Sequence, residues 1–274
     1  MKYRLLALDI DGTILDDDKK VPPVNRERLQ EAVAEGMHVA IASGRMTPRI
    51  EPVAELLGLD PVIIAYNGGK VVAPMSEGRT LLHHRPVPAA VAETMIRFSR
   101  DNGYLLNFYH EDKLYAEDGG RRQQFMEIYS RRTGAEYNIE SDLSRFVGME
   151  PTKLILLADP DECQRLHGKF SEELKGDAFV TKSDPEYLEI MAPGVDKGTS
   201  LGILAQHYGF TTDEVVAVGD ANNDLELIQA AGLGVAVANA TPELKAVADV
   251  LTERTNNEGA VAEVVDRWFL GGDA

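Results

Sequence analysis

Short apolar runs alternate with amphipathic helical stretches at both ends of the chain, and no other feature restricts the fold as strongly. YRLLALD reads as a strand, NRERLQEAVAEG as a helix closed by Gly36, and MHVAIAS as a second strand. TPRIEPVAELLG follows as a helix with Pro48 near its start and Gly58 at its end, then PVIIAYNGG as a third strand. The pattern returns in KGTSLGILAQHYG, EVVAVGD, NDLELIQAAG, LGVAVAN, TPELKAVA, ADVLT and NEGAVAEVVDRWFL. Strands separated by helices in this way predict a parallel sheet covered by helices.

Between these stretches the texture changes. KVVAPMSEGRTLLHH reads as a hairpin, PAAVAETMIRFSRDNG as a helix, and YLLNFYHEDKLYAED as a hairpin turning near Glu111 and Asp112. RRQQFMEIYSRRTG is a further helix, and TKLILLAD, a helix through Cys163 and Leu174, AFVTKS and YLEIMA complete an antiparallel α+β pattern. The expected architecture is α/β: a Rossmann-like parallel-sheet core from residues 1–83 and 192–274, with 84–191 inserted as an α+β cap.

Composition narrows the setting. At 44% hydrophobic and 27% charged, the chain has the make-up of a soluble globular protein, without an apolar run of membrane-spanning length. The start MKYRLLALDID has no secretory leader pattern, and the single cysteine, Cys163, forms no internal disulfide, so a cytoplasmic setting is expected. A net charge of −17 argues against nucleic acid or anionic membrane as partners. An anionic small substrate would need local positive charge.

Two strands end in acid. LLALDID places Asp9 and Asp11 on one side of a strand end with Ile10 opposite, and VVAVGDANND carries Asp220 and Asp224. Any one of these could simply cap the next helix. Four carboxylates gathered at neighbouring strand ends would repel one another unless a cation lay among them, and an all-oxygen donor set favours Mg2+ before Ca2+ or Mn2+.

DIDGT at 9–13 resembles the nucleophile motif of the haloacid-dehalogenase-like phosphatases, SGR at 43–45 their Ser/Thr motif, VDKG at 195–198 their lysine motif and GDANND at 219–224 their acidic motif. Order and strand-end placement agree along the whole chain. The cap inserted between the second and third motifs, with NNEGAVAEVV near the end, is similar to the Cof-type subgroup.

This resemblance implies a Mg2+-dependent phosphatase acting on a small phosphorylated metabolite, a sugar phosphate or similar phosphomonoester, through an aspartyl-phosphate. It implies Asp9 as nucleophile and Asp11 as general acid and base, with the Asp11 pKa raised in the substrate complex. Mg2+ would be held by the Asp9 side chain, the Asp11 backbone carbonyl and Asp220, with Asp224 orienting a water on the ion. Ser43 hydroxyl, the Gly44 and Ile10 N–H groups, Lys197 and Asn223 would grip the phosphate. A phosphomutase on the same fold and a non-catalytic metal- or phosphate-binding regulator are the rival readings. The resemblance leaves the oligomeric state open.

Other residues read less specifically. Lys197 is a cation near a helix start, where the helix dipole disfavours it. Arg45 is equally a surface ion pair or a substrate contact, Asn67 a turn residue before glycine, although the loop after the third strand also lies on the active face, and Thr13 a turn and helper residue. Tyr109 and His110 read as solvated loop rather than as cap residues facing the substrate, and Trp268 as core packing.

Overall fold

Leu5–Leu8, four consecutive fully buried apolar residues, form the first strand, β1, in the computed structural model of the chain, which describes residues 2–271. It leads to helix α1 (Pro23–Ala34), strand β2 (His38–Ala42), helix α2 (Thr47–Leu57) and strand β3 (Val62–Ala65). Helix α2 has proline in its first turn and stops at Gly58, whose left-handed φ of 65° lets its N–H reach the carbonyls of Ala54 and Glu55. Strands β4 (Lys70–Val72) and β5 (Leu81–His84) follow.

The middle of the chain holds α3 (Ala89–Asn102), β6 (Leu105–His110), β7 (Lys113–Glu117), α4 (Arg121–Thr133), β8 (Asn138–Glu140) and β9 (Lys153–Leu157). Then come α5 (Pro160–Glu173), β10 (Phe179–Asp184) and β11 (Tyr187–Met191). The last part is α6 (Lys197–Tyr208), β12 (Val215–Gly219), α7 (Leu225–Ala230), β13 (Leu233–Ala236), α8 (Pro242–Val247), β14 (Val250–Leu251) and α9 (Ala260–Trp268).

Two units result, Met1–His83 with Asp196–Ala274 and, between them in sequence, His84–Val195. The second crossing falls at Val195/Asp196 rather than at 191/192. Ala192 and Val195 are buried with Met191 beyond the end of β11, whereas Asp196 caps α6, its Oδ1 accepting from the Thr199 N–H at 2.7 Å.

The first unit is built on an eight-stranded sheet in the order β14-β13-β12-β1-β2-β3-β4-β5. The six strands from β14 to β3 run parallel, and β4 is antiparallel to β3. The central strands β1, β3 and β12 are buried at every residue, as parallel strands covered on both faces must be.

The second unit has a six-stranded sheet in the order β10-β11-β9-β6-β7-β8. Its pairings are antiparallel except β7 with β8, a short strand that the sequence pattern does not reveal. Glu111 and Asp112 make the β6–β7 turn with left-handed φ of 49° and 54°, the geometry a two-residue hairpin needs. Leu106, Phe108, Leu154, Leu156, Leu188 and Ile190 form one core with α3 and α5 residues.

Two further expectations are corrected. Tyr109 is buried rather than solvated, because β6 alternates faces and α4 covers this one; its hydroxyl shares a 2.6 Å hydrogen bond with that of Tyr129. Trp268 is only half-buried, with the Arg267 guanidinium over its ring, and the neighbouring Phe269 packs inward against Tyr3. Among the described residues no helix is long and apolar enough to cross a membrane.

Candidate functional site

In the first unit the chain runs from β1 to β2 and β3 in one direction across the sheet and through β12, β13 and β14 in the other. Strand order therefore reverses beside β1, and open α/β sheets place ligands in the crevice beyond such a reversal, at the carboxyl ends of the strands. Leu8 lies in register with Val218 on one side and Ile41 on the other, so the residues after β1, β2 and β12 emerge together. These residues are Asp9, Ser43 and Asp220. The Asp9 N–H donates to the Val218 carbonyl at 3.0 Å, which ties the two acidic strand ends to each other.

Lys197, the first residue of α6, is completely buried, and its Nζ donates to Asp9 Oδ1 and to Asp224 Oδ1, both at 2.6 Å. Burial works to lower the lysine pKa, but the charges of Asp9 and Asp224 outweigh it and hold the ammonium protonated. The second Asp224 oxygen, Oδ2, accepts from the Asp220 and Ala221 N–H groups at 3.1 Å, so this carboxylate braces the loop after β12. Burial first, and then the charge of Asp224, push the Asp9 carboxyl well above the usual range against the pull of Lys197. Burial and Asp224 likewise push Asp220 up to about 6.

Asp220 is oriented from the β1 side: its Oδ1 accepts from the Thr13 hydroxyl at 3.1 Å. Gly12 makes the approach possible. Its φ is 85°, and a methyl group in its place would lie 2.4 Å from Asp220 Oδ2. The Asn239 amide, at the end of the β13 segment, holds the Gly12 carbonyl at 2.8 Å.

Side-chain oxygens of Asp9, Asp220 and Asp224 lie within 4.8 Å of one another. Three carboxylates with one lysine among them leave net negative charge, and oxygen donors at this spacing suit a hard divalent cation. The Asp11 side chain stands apart. Its Oδ1 accepts from Arg45 Nη2 at 2.6 Å and from Lys19 Nζ at 3.0 Å, and its Oδ2 from Arg45 Nε at 3.0 Å. Burial would raise this carboxyl, but Arg45 and Lys19 together hold it below its ordinary value. Arg45 is thus an ion-pair partner of Asp11, and both side chains on this carboxylate are cationic.

Ser43 is buried at the end of β2, its Oγ accepting from the Arg45 N–H at 3.3 Å, and Gly44 follows it. The Ile10 side chain is fully buried, and Asn223 is exposed in the turn that carries Asp224. Sequence reasoning missed Lys19 and Asn239. Lys19, directly after the acidic run Asp16–Asp18, reaches Asp11 from a left-handed φ of 62°, for which the sequence holds no signal. Asn239 is polar after an apolar strand, the same signal that marks Asp9 and Asp220.

The chain is similar to known proteins along most of its length. The sequence pattern described as haloacid dehalogenase-like hydrolase matches residues 6–265. An HMP-PP phosphatase of Cronobacter sakazakii is 30% identical over 243 residues, 89% of this chain and 87% of its own. A 5-amino-6-(5-phospho-D-ribitylamino)uracil phosphatase of Bacillus subtilis is 28% identical over 273 residues, 97% of this chain and 96% of its own. A crystal structure of a haloacid dehalogenase-like hydrolase from Bacteroides thetaiotaomicron superposes with a TM-score of 0.88 at 30% identity, covering 97% of this chain and all (100%) of that one.

Proposed function

The chain belongs to the haloacid dehalogenase-like hydrolase family, and on that premise we propose that it is a phosphatase hydrolysing small phosphomonoesters through an aspartyl-phosphate on Asp9. The observation that carries this reading is the contact of Asp9 with the buried Lys197 at 2.6 Å, at the junction of β1 and β12. A carboxylate so buried stays ionised and reactive only where cations face it.

Mg2+ fits the site: Asp9, the Asp11 carbonyl and Asp220 would hold it, and it would supply positive charge to offset that of the phosphoryl group. The protein's own residues do the remainder. Ser43, with the Gly44 and Ile10 N–H groups and Asn223, orients the phosphoryl oxygens. Lys197 neutralises charge on the phosphoryl group and on Asp9. An Asp9 oxygen then forms a bond to phosphorus as the bond to the leaving oxygen breaks.

Asp11 gives a proton to that oxygen and later takes one from the water that releases phosphate. Arg45 and Lys19 favour its ionised form, from which the second step starts; the first step requires the negative charge of bound substrate to outweigh them. The inserted unit, 84–195, is proposed as the cap that selects substrates. The relatives' names support small phosphorylated metabolites as its substrate class.

The test is phosphate release from a panel of phosphomonoesters, with and without EDTA, by wild type and Asp9→Asn. We expect a loss of about 10³-fold or more in the variant, loss of activity in EDTA, and recovery with Mg2+. An Asp9→Asn protein as fast as wild type would refute the nucleophile. Absence of oxygen from isotopically labelled water in the released phosphate would point to phosphoryl exchange instead of hydrolysis.

A further inference from the structure

Residues Tyr66–Gly68, directly after β3, take left-handed backbone angles three times in succession, with φ of 53°, 53° and 99°. For Tyr66 and Asn67 this conformation is costly, and such strain persists only where the surroundings impose it. Two hydrogen bonds do so: the Tyr66 N–H donates to the Arg45 carbonyl at 3.0 Å and the Asn67 N–H to the Ser43 carbonyl at 2.9 Å. The turn is therefore latched onto the Ser43–Arg45 loop.

Its result is to lay the Asn67 carboxamide over Gly44. A methyl group on Gly44 would sit 3.1 Å from Asn67 Oδ1 and 3.3 Å from Nδ2. An asparagine that serves only a turn usually spends its side-chain oxygen on a nearby backbone N–H. Here Oδ1 is buried and has no hydrogen-bond partner among the described residues, an unfavourable arrangement that does nothing for the turn. The latched turn thus holds this carboxamide, at the cost of an unsatisfied oxygen, beside the N–H assigned above to the phosphate.

We propose that Asn67 is a phosphate-binding residue whose Nδ2 donates a hydrogen bond to an oxygen of the phosphoryl group seated at Gly44. An ionised phosphoryl group offers only acceptors, so of the two ends of a carboxamide only the NH2 can serve it. The inference rests on the phosphate-site reading above, but not on hydrolysis.

Asn67→Gly separates the two roles, because glycine adopts the left-handed turn freely and lacks the carboxamide. Asn67→Asp keeps the shape and replaces the donor with a like charge. The measurements are thermal unfolding and calorimetric titration with inorganic phosphate in the presence of Mg2+. Turnover of p-nitrophenyl phosphate is followed alongside.

Asn67→Gly is expected to melt at or above the wild-type temperature while binding phosphate about tenfold or more weakly, the loss of one hydrogen bond to a charged group. Asn67→Asp should bind more weakly still. Phosphate affinity in Asn67→Gly within about twofold of wild type, or a lowered melting temperature with affinity intact, would overturn the proposal and leave a turn residue. Wild type that binds phosphate through Asn67 yet releases none from esters would overturn hydrolysis alone. Wild type that binds no phosphate would overturn both.

Discussion

Replacing Lys197 with methionine keeps most of the side-chain volume and removes a cation that touches both Asp9 and Asp224. Both contacts are 2.6 Å long and the lysine is fully buried, so the change leaves two carboxylates without their shared counter-charge. Breaking a buried pair from one side costs about 3–5 kcal/mol. For a chain of this size each kcal/mol moves the melting temperature by about 2–4 °C, giving a drop of roughly 6–20 °C in metal-free protein near neutral pH.

The sign with pH follows from Asp9, whose native pKa is already raised and rises further without the lysine. A carboxyl that titrates higher in the native than in the unfolded state loses stability as pH climbs from about 4 through the native value. The deficit of Lys197→Met should therefore be small near pH 4.5 and grow as pH rises to 7–8. Adding Asp224→Asn should restore several degrees at pH 7, since one of the stranded charges goes. Thermal unfolding in EDTA across this range is the assay. A variant melting within about 2 °C of wild type at pH 7, or a deficit equally large at pH 4.5, would refute the electrostatic account.

Two further outcomes are expected. Gly12→Ala forces a methyl group to 2.4 Å from Asp220 Oδ2 at a φ of 85°; it should cost about 1–3 kcal/mol in urea unfolding and weaken Mg2+ binding about tenfold or more in titration. Arg45→Gln removes the two-point ion pair that lowers the Asp11 pKa, so the alkaline limb of the kcat/KM profile, where Asp11 gives up its proton, should move to higher pH by about half a unit or more.

The core sheet could be read from the sequence because its central strands are apolar on both faces, a pattern that short amphipathic strands do not imitate. β8 escaped because Asn138–Glu140 is three mainly polar residues whose place depends on pairing with β7. Tyr109 escaped for a related reason: whether the second face of a sheet is covered depends on where α4 lands. In the site, Asp9, Asp220 and Lys197 were conspicuous as charges where a strand end or a helix start disfavours them. Arg45 was not, because nothing local decides between a carboxylate on its own protein and an incoming anion. The neutral neighbours of the site were the least visible. Asn67 acquires meaning only from its backbone angles and from an oxygen without a partner, neither of which is written in residue types.

The pairing of Leu5–Leu8 with Val215–Val218 has a consequence for biosynthesis. While the ribosome is still making the middle of the protein, β1 has β2 on one side and an open row of amides and carbonyls on the other. Such an edge invites association with other chains until its rightful neighbour arrives. Chains that stall before β12 should therefore clump, and co-translational chaperones should engage this protein for most of its synthesis.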